Sequence, residues 1–121
     1  MKINEIAFTG YPVTDMKRAR RFYEDVLKLK PSHIFGDETK GWVEYDIGAG
    51  TLAIGNGAPQ WKPNAGGGCV ALEVDDFDAA LKALDDLKVA HRPAIETPVC
   101  RMVILADPDG NSLILHKRKN G

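Results

Sequence analysis

The sequence predicts an α+β chain made of two tandem βαβββ modules, and three observations predict it. A strand-like run leading into a helical pattern occurs twice, and each occurrence is followed by three further strand candidates. A constant separation of 61 residues superposes the halves, setting Val13 on Val74, Asp15 on Asp76, Ala19 on Ala80, Asp46 on Asp107 and Leu52 on Leu113. The identities are few, and the repeated order of elements carries the reading. The expectation is one domain over 1–121, with modules 1–56 and 68–119 and a linker at 57–67.

In the first module, Ile3 to Val13 reads as a strand, and Thr14 or Asp15 offers an N-cap. Met16, Ala19, Phe22, Tyr23, Val26 and Leu27 then recur at helical spacing. Strand candidates follow at His33 to Phe35, Gly41 to Ile47 and Thr51 to Ile54, the last two joined by Gly48-Ala49-Gly50. Gly55 to Gly68, with Pro59, Pro63 and Trp61, reads as loop. The second module repeats the order. Cys69 to Val74 is a short apolar strand, Asp75 or Asp76 a cap, and Phe77, Ala80, Leu81, Leu84 and Leu87 one helical face. Strands at His91 to Ile95, Cys100 to Ala106 and Ser112 to His116 follow, the last pair joined by the turn Asp107-Pro108-Asp109-Gly110-Asn111.

Composition narrows the function. At 121 residues, 44% hydrophobic and 27% charged, the chain has the makeup of a globular domain that buries roughly two-thirds of its unfolded surface. Sixteen basic residues against seventeen acidic ones leave a net charge of -1, which supplies no field for a nucleic-acid backbone or an anionic membrane. Lys117-Arg118-Lys119 reads as a solvated tail. Cys69 and Cys100 are too few for a disulfide scaffold and are expected as free thiols. With no secretory or membrane-spanning apolar run, the expected location is the cytoplasm.

Val-Thr-Asp ahead of the first helix, Arg20-Arg21-Phe22-Tyr23 within it, Val74-Asp75-Asp76 at the second and the Asp107 to Asn111 turn, set in paired βαβββ units, resemble the vicinal oxygen chelate superfamily. That superfamily includes glyoxalase I, extradiol dioxygenases, fosfomycin-resistance enzymes and bleomycin-resistance proteins. Lys28 departs from the glycine usual after a Val-Leu pair such as Val26-Leu27. The resemblance implies a cupped mixed sheet with helices outside, paired cups around a pocket, and a homodimer. It also implies metal-ligand positions, which fall here on Phe8, Ala53, Cys69 and Ile114. Three of these carry no donor, and one thiol does not supply the several His, carboxylate or carbonyl donors a divalent ion needs. No cofactor is therefore expected, a divalent metal held by Glu44, Cys69 and His116 being the alternative.

Strand alternation, with the resemblance fixing Ile114 inward, gives the lining. Pairing Val103 with Ile114 and Arg101 with His116 predicts that Arg101, Val103, Leu105 and His116 face the pocket, and that Met102, Ile104, Leu113 and Leu115 pack under the helices. Alternation also turns Cys100 away from His116. Pairing Trp42 with Ala53 and Glu44 with Thr51 predicts Trp42 and Glu44 inside, with Val43, Tyr45, Leu52 and Ile54 in the core. The expected ligand site is thus Phe8, Trp42, Glu44, Cys69, Arg101, Ile114 and His116, and His33 and His91 are expected exposed. The aromatic rings suit a flat molecule and Arg101 an anionic group. The expected function is sequestration of such a small molecule, in the manner of the bleomycin-resistance branch. The alternative is a lyase, isomerase or dioxygenase-type enzyme using a metal or Glu44 as general base with His116 as general acid. A purely structural dimer module fits less well, because Gly10, Ala53 and Ala71 leave room on the inner face.

Overall fold

A computed structural model describes residues 2–119, and the chain falls into two compact units that meet between Pro63 and Asn64. The first contains β1 (Thr9–Pro12), α1 (Met16–Arg21), β2 (His33–Gly36), β3 (Gly41–Ile47) and β4 (Gly50–Gly55). The second contains β5 (Val70–Glu73), α2 (Phe77–Asp86), β6 (Ile95–Glu96), β7 (Cys100–Ala106) and β8 (Ser112–Arg118). Their sheets have the same topology, β1-β4-β3-β2 and β5-β8-β7-β6. In each, the first strand runs parallel to the last and the other neighbours are antiparallel. The chain is the α+β pair of βαβββ modules that the sequence predicts. The glycine-rich segment is divided: residues through Pro63 join the first unit and Asn64 onward the second.

The repeat is written in hydrogen bonds. Asp15 accepts from the Arg18 N–H and Asp76 from the Ala79 N–H, both at 3.0 Å, satisfying a free donor at each helix start. The Val13 N–H reaches the Gly55 carbonyl and the Val74 N–H the His116 carbonyl, both at 2.9 Å. All these pairs are 61 residues apart. In the middle of each unit the separation drops to 60. Helix α1 runs on into a π-helical turn at Phe22–Val26, closed by Leu27 N–H to Phe22 C=O at 3.1 Å, and that wider turn takes up one extra residue. The first helix then ends on Lys28 at φ 60 and the second on Lys88 at φ 57. Lys28 thus adopts the left-handed conformation that glycine accepts most readily. Farther on, the Ser32 N–H bonds the Glu44 carbonyl at 2.7 Å and the Arg92 N–H the Ile104 carbonyl at 2.9 Å, again 60 residues apart.

The hairpins cancel this difference. Tyr45 pairs with Leu52 and Leu105 with Leu113, so the second hairpin holds one residue more and the separation of 61 returns at β8. That residue is absorbed by the turn. Asp107 Oδ1 accepts from the Asn111 N–H, Asp107 Oδ2 from Asn111 Nδ2, and the Asn111 carbonyl from the Asp107 N–H, each at 2.9 Å, with both residues buried. Asn111 therefore belongs to the turn and not to the strand.

Each helix covers one face of its own sheet. In the first unit Val43, Tyr45, Leu52 and Ile54 are buried on that face, and Tyr23 stacks on Tyr45 with ring centroids 6.1 Å apart. The Tyr45 hydroxyl donates to Glu24, which Arg20 also holds, at 2.9 and 2.6 Å. Burial, reinforced by the bond to Glu24, pushes the Tyr45 pKa well up. In the second unit Phe77 and Leu84 are buried, as are Val103, Leu105, Leu113 and Leu115. Leu87, expected on the same face, is half-exposed.

Several elements end elsewhere than expected. β1 begins only at Thr9, and Ile3 and Ile6 are 82% and 79% exposed because residues 2–8 have no ladder partner. β8 continues to Arg118, so the expected basic tail starts inside a strand. His91 makes a single bridge to Leu105 ahead of the short β6. Among the described residues no helix is long and apolar enough to cross a membrane.

Candidate functional site

The face of each sheet turned away from its helix carries the candidate site. In the first unit that face presents Phe8 and Gly10, then Ala53 and Gly55, Trp42 and Glu44, and His33 and Phe35 from neighbouring strands. The observed pairs, Trp42 with Gly55 and Glu44 with Ala53, lie two residues from the expected ones. A shift of two preserves the face, so Trp42 and Glu44 stand where predicted.

Aromatic rings gather there. Phe8 meets Trp42 edge to face, with centroids 5.3 Å apart, and Trp61 stacks on Trp42 at 6.1 Å. Trp42 lies flat across its neighbour strand only because residue 55 is glycine: a Cβ there would stand 2.7 Å from an indole carbon. A Cβ on Gly10 would likewise come within 3.2 Å of Trp61. A groove of about 360 Å3 runs past Phe35, Trp42 and Trp61, floored by Gly41, Gly55 and Gly57. Glu44 is half-buried at the indole edge of Trp42. Its Oε2 accepts from Trp42 Nε1 at 2.9 Å, and its Oε1 lies 3.6 Å from His33 Nδ1.

In the second unit one expectation reverses. β7 and β8 pair Met102 with His116 and Ile104 with Ile114, one residue from the predicted register. A slip of one moves every side chain to the opposite face. Arg101, Val103 and Leu105 therefore turn toward the helix, and Met102 and Ile104 take their expected places. Arg101 sits 4.6 Å over the Phe77 ring and pairs with Asp78 at 3.0 Å and Glu96 at 3.4 Å. It braces α2 and leaves the site. Cys100 moves the other way, onto the side of the strand that His116 shares, but it is buried with its sulfur 3.2 Å from the Thr97 hydroxyl.

Ile114 and His116 keep their predicted face, and Cys69 is exposed just ahead of β5. His116 meets a residue that strand reading missed. Its Nδ1 is 2.6 Å from Glu73 Oε1, and the Arg118 N–H donates to Glu73 Oε2 at 2.7 Å. The Arg118 amide first, then His116, holds the Glu73 carboxyl below its ordinary pKa. The signal was available: Glu73 is cross-strand from His116 once β5 and β8 are paired in parallel. Glu44 and His116 thus each have a polar partner within their own unit. His91 is not the exposed residue expected: it is held between the Asp85 carboxylate and the Arg92 carbonyl, both at 2.8 Å. His33 is exposed, as expected.

The sequence matches the profile of the Glyoxalase/Bleomycin resistance protein/Dioxygenase superfamily over residues 2–115. The chain belongs to this superfamily. Among solved structures, it is similar to TnmS3, an antibiotic binding protein from Streptomyces sp. CB03234, at 24% identity and TM-score 0.82, over 98% of this chain and 99% of that one. A glyoxalase/bleomycin resistance protein from the same source matches at 25% identity and TM-score 0.75, over 92% and 98%. The fosfomycin resistance protein FosX from Listeria monocytogenes matches at 16% identity and TM-score 0.78, over 98% and 96%. No curated protein matches the sequence.

At the positions where the resemblance expects metal ligands, Phe8, Ala53, Cys69 and Ile114, the side chains present do not fit a divalent ion. Phe8 is committed to Trp42, Ala53 is a buried methyl, and Ile114 has no donor. Among the described residues no three His, Cys, Asp or Glu side chains stand together as a metal would require.

Proposed function

We propose that this superfamily member binds a small flat molecule against Trp42, without a metal ion, and acts by sequestering it. The observation that carries the reading is the aromatic cluster of Trp42, laid flat on Gly55, with Phe8 and Trp61 against it, beside a groove of ligand size. The likeness to a protein described as antibiotic binding supports a binding role through shared fold. The test is tryptophan fluorescence of EDTA-treated protein titrated with acridone, a flat neutral ring system. Quenching that saturates, and that Trp42→Ala abolishes in a folded protein, is the expected result. Binding that appears only after a divalent ion is added back overturns the metal-free reading.

A second reading has its own observation. The Glu73 and His116 pair fixes Nδ1 of the imidazole on a carboxylate, leaving Nε2 for proton transfer, the arrangement that orients a general base. In an enzyme of lyase or isomerase type, this pair replaces the expected partnership of Glu44 with His116. A homodimer is part of the proposal too, supported by bare apolar side chains such as Ile3, Ile6 and Val99. Light scattering after gel filtration measures its mass directly.

A further inference from the structure

We infer that the groove over Trp42 selects flat aromatic cations, with Glu44 as the residue that reads the charge. The inference rests on the binding reading and goes beyond it by fixing the sign of the ligand. It reverses the expectation of an anionic ligand, which depended on Arg101. That guanidinium belongs to the second unit and is engaged with Phe77, Asp78 and Glu96 on the helix side.

The strand positions on the groove's face are aromatic, small or acidic. Glu44 and Asp46 stand there, and no Lys or Arg does. Asp46 accepts from the Thr51 hydroxyl at 2.9 Å, away from the rings. Glu44 adjoins them. The indole N–H, the electron-poor edge of Trp42, is taken up by Glu44 Oε2, and a ligand in the groove meets the aromatic side chains of Phe35, Trp42 and Trp61. A cation against these rings gains from their quadrupoles and from the carboxylate at the indole edge together. An anion is opposed by both. Lys40 lines the groove as well, and the residue is exposed. An exposed ammonium is screened by solvent and salt far more than a half-buried carboxylate such as Glu44. His33 is the remaining titratable group on this face, 3.6 Å from Glu44 and exposed.

Three acridines of similar shape test this: 9-aminoacridine as the cation, acridone as the neutral ring and acridine-9-carboxylate as the anion. Each is titrated at about pH 8 with tryptophan fluorescence as readout. The cation is expected to bind at least about tenfold more tightly than the anion. Glu44→Gln should erase that preference, cation and anion then binding within about twofold of each other, and Glu44→Asp should keep most of it. Circular dichroism confirms that each variant is folded. Equal binding of cation and anion, or a preference that survives Glu44→Gln, overturns the inference and leaves the site standing. An anion preference that Lys40→Ala removes overturns it in favour of the lysine. If none of the three perturbs tryptophan fluorescence, the binding site itself is refuted and the inference falls with it.

Discussion

The two units share a backbone plan and dress it in opposite ways. On the first unit's helix-free face the bulk stands on β3, as Trp42 and Glu44, while β4 opposite offers Ala53 and Gly55. In the second unit, Met102 and Ile104 hold the β7 positions, and β8 brings Ile114 and His116. Where Gly55 lets an indole lie flat, His116 stands up and meets Glu73. One face becomes an aromatic groove and the other a polar pair among aliphatics. The repeated topology is a common scaffold, and different residues at matched positions give it two surfaces of different chemistry.

The largest expected effect probes the element that sets the two apart, the buried turn. Asn111→Ala removes an amide that bonds Asp107 in a site closed to water, and should cost about 2–3 kcal/mol. Urea unfolding followed by circular dichroism measures it, and a loss below about 0.5 kcal/mol would show that the turn holds its register without Asn111.

This turn also shows how far the sequence could be read. Element order, both caps and the first unit's faces were legible, because periodicity and capping are local and an error of two residues in pairing leaves a face unchanged. The Arg101 face was not. An ungapped separation of 61 sets Asp46 on Asp107, yet Asp46 lies within β3 and pairs with Thr51, whereas Asp107 opens a turn. Two compensating one-residue changes, one in a helix and one in a hairpin, leave both ends of the alignment correct and its middle wrong. Nothing in the hydrophobic pattern of Arg101 to Ala106 corrects this, because Met102, Val103, Ile104 and Leu105 are all apolar. Glu73 escaped for a related reason: its partner is fixed by pairing across the sheet, not by spacing along the chain.

Smaller effects sharpen the comparison. Asp15→Ala and Asp76→Ala remove caps of equal geometry and should each cost about 1 kcal/mol. Thermal unfolding of the two variants is the check, and unequal losses would mean that the units contribute unequally to a common transition. Lys28→Gly and Lys88→Gly relieve left-handed backbone at both helix ends and should each stabilise by about 0.5–1 kcal/mol. A destabilised variant in the same assay would show that the lysine side chain outweighs the strain.

The smallest effect belongs to the second unit. The Arg92 carbonyl first, then Asp85, raises the His91 pKa above its ordinary 6.5. A group whose folded pKa is raised stabilises fully below its unfolded value and loses that contribution as pH climbs through the folded one. Stability measured upward from about pH 6 should therefore contain a small fall that His91→Gln abolishes. A pH profile identical in the variant would remove His91 from the account.

The π turn at Phe22–Val26 carries a lesson about how such modules change. A residue added inside a helix is swallowed by a wider coil, and the sheet never registers it. A residue added to a hairpin is held in the turn, where Asp107 and Asn111 close around it, and the strands on either side keep their faces. Single-codon insertions in this architecture are thus stored where they land, in a widened helical turn or a closed loop, and the working face of each sheet is carried through them intact.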